Sequence, residues 1–283
     1  RIDGIVGRKL PVLAVPGNHD LARPTGMDAL RYAGLKHHDE DPVVQRGLWL
    51  EKRAAGEAGW LDPLFAEYRA WCERTLKPRA LRAGLKLIES ERAPGDFRVV
   101  VEKKGLRLGV VGLNTAWGQV GDGDFLGKLP LATEQFDALF SDELPARDWF
   151  AGLSASILMT HHPRSWLSTK GRENLEQRIY CVEGSFDMAI FGHMHAAESL
   201  AEARGGTQAR LWVQAPSLFG LEHYGEEKKV SRSFGYGWGR ISEDGEIRSW
   251  PYVHGYPGGS LALVEDHNNF RWVHDGLRGV ILR

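Results

Sequence analysis

Short apolar runs recur along the chain, and most stop abruptly at a turn residue or a polar cluster. LPVLAV at 10–15 ends at Pro16 and Gly17, while ASILMT at 155–160 and DMAIFG at 187–192 run directly into histidines. Runs this short and this apolar predict buried strands. FRVVVEK at 97–103 and LRLGVVGLN at 106–114 flank Lys104 and Gly105, which predicts a hairpin. ARLWVQA (209–215), YGWGRIS (236–242) and GEIRSWPY (245–252) continue the strand pattern, with a Glu-Asp-Gly turn before the last. Two stretches carry helical spacing instead. Leu64, Tyr68 and Trp71, with Leu61, Phe65 and Cys72 beside them, predict a helix over 60–76. A second is expected over 132–144, with Thr133 as its N-cap. Buried strands alternating with helices, together with hairpins, predict an α/β fold with mixed sheets. Residues 21–95 are long, charged and mostly helical, and are expected to form an insertion over the sheet edge. From Tyr256 the pattern weakens, so 256–283 is expected as a linker or the start of a following region, leaving 1–255 as the domain.

Composition narrows the function classes. The chain has 283 residues, 42% hydrophobic and 26% charged, with a formal net charge of -1. No global field draws nucleic acid or an anionic membrane to it, so nucleic acid is not the favoured partner and no membrane partner is expected. Cys72 and Cys181 stand far apart without metal-binding spacing, which predicts a reducing, cytoplasmic setting. No apolar stretch is long enough to span a bilayer. The tryptophans fall on core-type positions. His37 and His38, beside acidic residues, are expected on the solvated surface.

The chemistry gathers where three apolar runs end: VLAVPGNHD, ILMTHHP and AIFGHMH. Divalent ions accept imidazole nitrogen and amide or carboxylate oxygen, and strand ends are stiff mounts for such groups. Singly, each histidine could be a satisfied core residue and Asn18 a turn residue. Three such endings in one chain point to a metal site.

This ordered set, GNHD then HHP then GHMH, resembles the calcineurin-like metallophosphoesterases over about residues 1–250. The resemblance implies two packed mixed β-sheets flanked by helices, and a centre holding two divalent ions of the manganese, iron or zinc kind. Asn18, His161 and His193 resemble ligands of one ion, and His195 resembles a ligand of the other. His19 resembles the histidine that assists the leaving group, and Asp20 its orienting carboxylate. GLNTAW and GKLPLATEQFDAL match the family's usual pattern between its later motifs. His162, next to a proposed ligand, and Arg164, whose guanidinium can hold a phosphate by two parallel bonds, are candidate substrate-binding residues.

The implied activity is hydrolysis of a phosphomonoester or phosphodiester, on a phosphorylated small molecule, a nucleotide or a phosphoprotein. The alternative is a non-catalytic binding or scaffolding module of a larger regulatory or defence protein, with further domains in the parent chain. The family's Asp-x-His and Gly-Asp-x-x-Asp segments both precede its GNHD segment and are not in this sequence. The resemblance therefore leads us to expect about 50 to 80 further residues upstream, and a chain that lacks part of its site as it stands. GDGD at 121–124 is expected as a surface turn that cannot replace the bridging carboxylate.

Overall fold

The computed structural model describes residues 10–51, 58–180, 182, 184–194, 197–203, 209–217, 221–224, 229–232 and 234–282. The chain divides into two compact units, Arg1–Phe186 and Asp187–Arg283.

In the first unit, β1 (Ile88–Glu89), β2 (Phe97–Lys103), β3 (Leu106–Leu113) and β4 (Ala155–Thr160) form a mixed sheet: β1, β2 and β3 pair antiparallel, and β3 pairs parallel with β4. The β2–β3 hairpin forms as the sequence predicts. Its two turn residues, Lys104 at φ 52 and Gly105 at φ 82, both adopt the left-handed conformation that suits a tight hairpin. Phe97, Val99 and Val110 make a cluster on one face of this sheet, joined by Leu13, Val15, Ile157 and Met159. Gly112 is needed there, because a Cβ would lie 2.3 Å from Phe97 Cε1 and 2.7 Å from Val15 Cγ1.

Residues 10–15 were expected as a strand and are not one. Leu13 and Val15 do pack on the sheet, but the carbonyl of Ala14 accepts a bond from the Tyr68 hydroxyl at 2.8 Å and that of Leu10 one from Arg79 at 3.2 Å. Side chains from the insertion, rather than a neighbouring strand, take these two carbonyls. Burial pushes the Tyr68 phenol up from its ordinary value, which keeps it a neutral donor.

The insertion is helical, as expected, but in short pieces: Gly26–Tyr32, Pro42–Gln45, Ala66–Trp71 and Lys77–Arg82, linked partly by 3-10 and π turns. The helix expected over 60–76 opens with a 3-10 turn at Asp62–Phe65 and passes through a π turn at Cys72–Leu76. Pro78 accounts for the widening, since it lacks the N–H for the Arg74 carbonyl and its ring crowds that group. Leu21, Trp49, Leu61, Phe65 and Tyr68 build a core with Trp117, Val120 and Ala132. The helix expected over 132–144 covers only Thr133–Asp137, with Ala132 rather than Thr133 at its cap. Arg98 ends it by donating to the Leu139 carbonyl while lying 5.2 Å over the Phe140 ring.

In the second unit, β5 (Met188–Phe191) runs parallel to β7 (Arg210–Gln214), which pairs antiparallel with β6 (Glu198–Glu202). β8 (Leu221–Tyr224) and β9 (Lys229–Arg232) pair antiparallel. A further sheet contains β10 (Gly235–Ile241), β11 (Ile247–Gly255), β12 (Ala262–Glu265) and β13 (Val280–Ile281), all pairing through β11. Residues after Tyr256 thus contribute two strands to this sheet instead of only leading away from it. Trp250, Phe270, Trp272 and Val280 form its core. The protein is α/β, with a mixed sheet, a second sheet and flanking helices. Among the described residues no helix is long and apolar enough to cross a membrane.

Candidate metal centre

Pro16 to Asp20 form a closed loop directly after the apolar segment. The Asp20 N–H donates to the Gly17 carbonyl at 3.0 Å, and the Gly17 N–H donates to Asp20 Oδ2 at 2.8 Å. This turn presents Asn18, half-buried, with His19 and Asp20 exposed. Asp20 thereby shapes the loop. Its carboxylate bonds to the Gly17 backbone, and no hydrogen bond joins it to His19 among the described residues, so the orienting role implied for it is not what this geometry displays.

β4 ends at Thr160 and hands the chain to His161 and His162. His161 Nε2 lies 3.0 Å from Asn18 Oδ1, across 143 residues of sequence. Gly17 permits this approach: a Cβ there would stand 2.7 Å from His161 Cε1 and 2.8 Å from Nδ1. The glycine of the GNHD segment is therefore a spacer for an imidazole. An amide oxygen and an imidazole nitrogen, both neutral and held this close, are a donor pair that a divalent ion accepts. Without an ion, Nε2–H donates to the amide. With an ion, the ring proton would sit on Nδ1 instead and both atoms would offer lone pairs to the ion, so the pair fits a cation.

His162 is buried, its ring perpendicular to that of His161 at 4.7 Å between centroids. Ring nitrogens of the two histidines lie within 4.8 Å of each other. Thr115, just past the end of β3, holds His162 through its hydroxyl, which accepts the His162 backbone N–H at 3.0 Å and lies 3.0 Å from Nδ1. The Thr160 hydroxyl donates to the His162 carbonyl at 3.0 Å, and the Trp166 ring stacks at 5.7 Å. Beneath Thr115 lies a buried polar cluster. Asp96 accepts from the Asn114 N–H at 2.6 Å and from Gln135 Nε2 at 3.1 and 3.2 Å, while Gln135 Oε1 accepts from Trp117 Nε1 at 2.9 Å. Thr115, Asp96, Gln135 and the spacing role of Gly17 were not identified from sequence. A threonine directly after a buried strand, inside GLNTAW, was the visible signal for the first.

Arg164 sits on a 3-10 turn and pairs with Glu176 at 3.7 Å, both partly buried. His193 follows β5 in the second unit and, at φ 72, takes a left-handed conformation rare outside glycine. Such strain in a non-glycine residue is often found at functional positions. His195 and Cys181 lie outside the described residues. GDGD at 121–124 lies on the surface, as expected: the Asp122 side chain is 92% exposed and pairs with Arg23 at 2.8 Å.

His38 differs from expectation. It is 4% exposed rather than solvated, with Trp49 Nε1 donating to its Nε2 at 2.6 Å and Asp39 Oδ1 3.0 Å from its Nδ1. Trp49 and Trp117 meet its ring edge-on. Two specific bonds and an aromatic enclosure compensate for burial that the acidic neighbours alone did not imply.

No curated protein matches the chain. A solved structure described as a 5'-nucleotidase from Staphylococcus aureus, in complex with α-ketoglutarate, matches with 15% identity and a TM-score of 0.26. The match covers 68% of this chain and 34% of that one, and a likeness this slight carries no argument. The family model for the calcineurin-like phosphoesterases matches residues 4–197, and with more than half of its length so matched the chain belongs to that family.

Proposed function

We propose that the protein hydrolyses a phosphomonoester or phosphodiester at a dinuclear metal centre, with a phosphorylated small molecule, nucleotide or phosphoprotein as substrate. The observation that carries this is the 3.0 Å approach of Asn18 Oδ1 to His161 Nε2, made possible by Gly17. Membership of the phosphoesterase family supports the reaction class. Two divalent ions, of the manganese, iron or zinc kind, when bound supply charge that clamps a phosphate and makes water nucleophilic near neutral pH.

The chain's residues divide the work. Asn18 and His161 would hold one ion, with His193 as the third ligand that the family resemblance implies, and His195 would hold the other. His19, exposed on its loop, carries a proton to the leaving oxygen. Arg164 and His162 orient the phosphate. The test separates ligands from proton donors in the full-length protein: His161→Ala is expected to lower bound metal and aryl phosphate hydrolysis together, and His19→Ala to spare metal and lower turnover by about 10²-fold or more. Loss of metal in His19→Ala, measured by mass spectrometry, would refute the assignment.

A further inference from the structure

We infer that Asp39, from the insertion, is a positioning residue for phosphate binding: by holding Ser168 it fixes the placement of Arg164. Its carboxylate has a partner on each side of the join. Oδ1 lies 3.0 Å from His38 Nδ1, and Oδ2 accepts the Ser168 hydroxyl, 129 residues along the chain. Every proton in this network has a place. An indole nitrogen only donates, so Trp49 Nε1, 2.6 Å from His38 Nε2, requires a lone pair there. Neutral His38 then carries its ring proton on Nδ1 and donates it to Asp39, whose carboxylate accepts twice. Ser168 gives its one proton to Asp39 and accepts the Gly171 N–H at 2.9 Å. The His38 side chain is 5% exposed and that of Asp39 16%, so water weakens the join little.

Ser168 stands where the mounting of Arg164 divides. It follows the 3-10 turn Arg164–Trp166, and it caps the helix Thr169–Glu173, which continues as the π turn Asn174–Ile179. Glu176 on that turn pairs with Arg164 at 3.7 Å. The backbone of Arg164 is therefore carried on one side of Ser168, and its guanidinium is held from the other. Leu129 bonds the Trp166 carbonyl and accepts from the Ser168 N–H, so loss of Asp39 loosens this segment without releasing it. The role in phosphate binding rests on the proposed phosphoester site, where Arg164 holds the phosphate, whereas the link from Asp39 to Arg164 does not.

The test uses the full-length protein, with aryl phosphate kinetics and calorimetric titration of inorganic phosphate on the same variants. Asp39→Ala is expected to raise KM and weaken phosphate binding by about 10-fold, as for one lost charge-assisted hydrogen bond, with kcat changed far less and bound metal intact. Arg164→Ala should have the same effect, and the double variant should be no worse than Arg164→Ala alone. Ser168→Thr, which keeps the hydroxyl, should retain wild-type affinity. Multiplying effects in the double variant, unchanged KM and phosphate affinity in folded Asp39→Ala, or a fall confined to metal or kcat would overturn the proposal. Should Asp39→Ala fail to fold, Ser168→Ala removes the same bond from its other end and must give the same rise in KM. If the wild type hydrolyses no phosphoester yet binds phosphate with this pattern, the proposed function fails and the positioning role stands. If it binds no phosphate either, both fail.

Discussion

A carboxyl group sealed from solvent with no cation beside it is costly, and Asp96 is such a group: it is fully buried, and its partners among the described residues are the Asn114 N–H and the Gln135 amide. Burial raises its pKa well above the ordinary value, and the two donors offset this only in part. The sign follows from linkage. A raised folded-state value means that the associated stability is complete below the unfolded carboxyl value and is lost as pH rises through the folded one. We therefore expect the urea midpoint of the wild type to fall as pH rises above the ordinary carboxyl range, and that of Asp96→Asn to stay nearly flat. Equal slopes would mean that the N–H donors outweigh burial. Gly17 makes a second prediction at this scale. A methyl group there must displace the His161 ring, so Gly17→Ala should cost about 1–3 kcal/mol and weaken zinc binding, read by thermal melting and by titration with zinc.

Among the elements, those stabilised by their own pattern were legible in the sequence. The β2–β3 hairpin needs only two apolar runs and a left-handed turn, all of them local. The ends of β4 and β5, with their histidines, were legible for the same reason. What escaped depends on distant partners. Whether 10–15 becomes a strand turns on what its carbonyls meet, and those of Ala14 and Leu10 meet Tyr68 and Arg79, more than fifty positions away. His38 is buried by Trp49 and Trp117, and Thr115 finds His162 at a separation of 47 residues, neither of which any local period encodes. The same reasoning bears on the insertion. Its core includes Trp117, Val120 and Ala132 from outside it, and Asp39 accepts a bond from Ser168, which caps the helix Thr169–Glu173. Excising 21–95 would thus strip the enclosure from Trp117. Trp49→Ala should cost about 3–5 kcal/mol, seen as a lower denaturation midpoint. Asp39→Ala should cost less and leave metal content intact; unchanged stability in Trp49→Ala would mean that the insertion is not part of the core.

For the molecule as a whole, a formal net charge of -1 leaves little global repulsion near pH 7, whereas in acid the carboxylates discharge and the 36 Lys and Arg with 11 His repel one another throughout the chain, so local groups set how the two units differ in their pH response. The two units carry opposite ones. In the second, Arg248 is 3% exposed and bonds Glu246 and Asp275 at once, fixing β11 to the loop before β13. Its hydrogen bonds pull the Asp275 carboxyl down to about 2. A depressed carboxyl contributes stability that is present above its unfolded value, 3.8, and lost as pH falls through about 2. Asp96 in the first unit has the reverse sign, favouring the acid side. Hydrogen exchange, corrected for intrinsic rates, should therefore show β11 and β13 losing more protection than residues 114–117 as pH falls from about 4 to 2, while residues 114–117 weaken as pH rises above the ordinary carboxyl range. Asp275→Asn should reduce the acid loss in β11, the remainder coming from Glu246, whose carboxyl the same Arg248 also holds below its ordinary value, without touching the response around Asn114. If both units lost protection equally at acid pH, or if Asp275→Asn left the acid response of β11 unchanged, the difference between the units would belong to some feature other than these carboxyl groups.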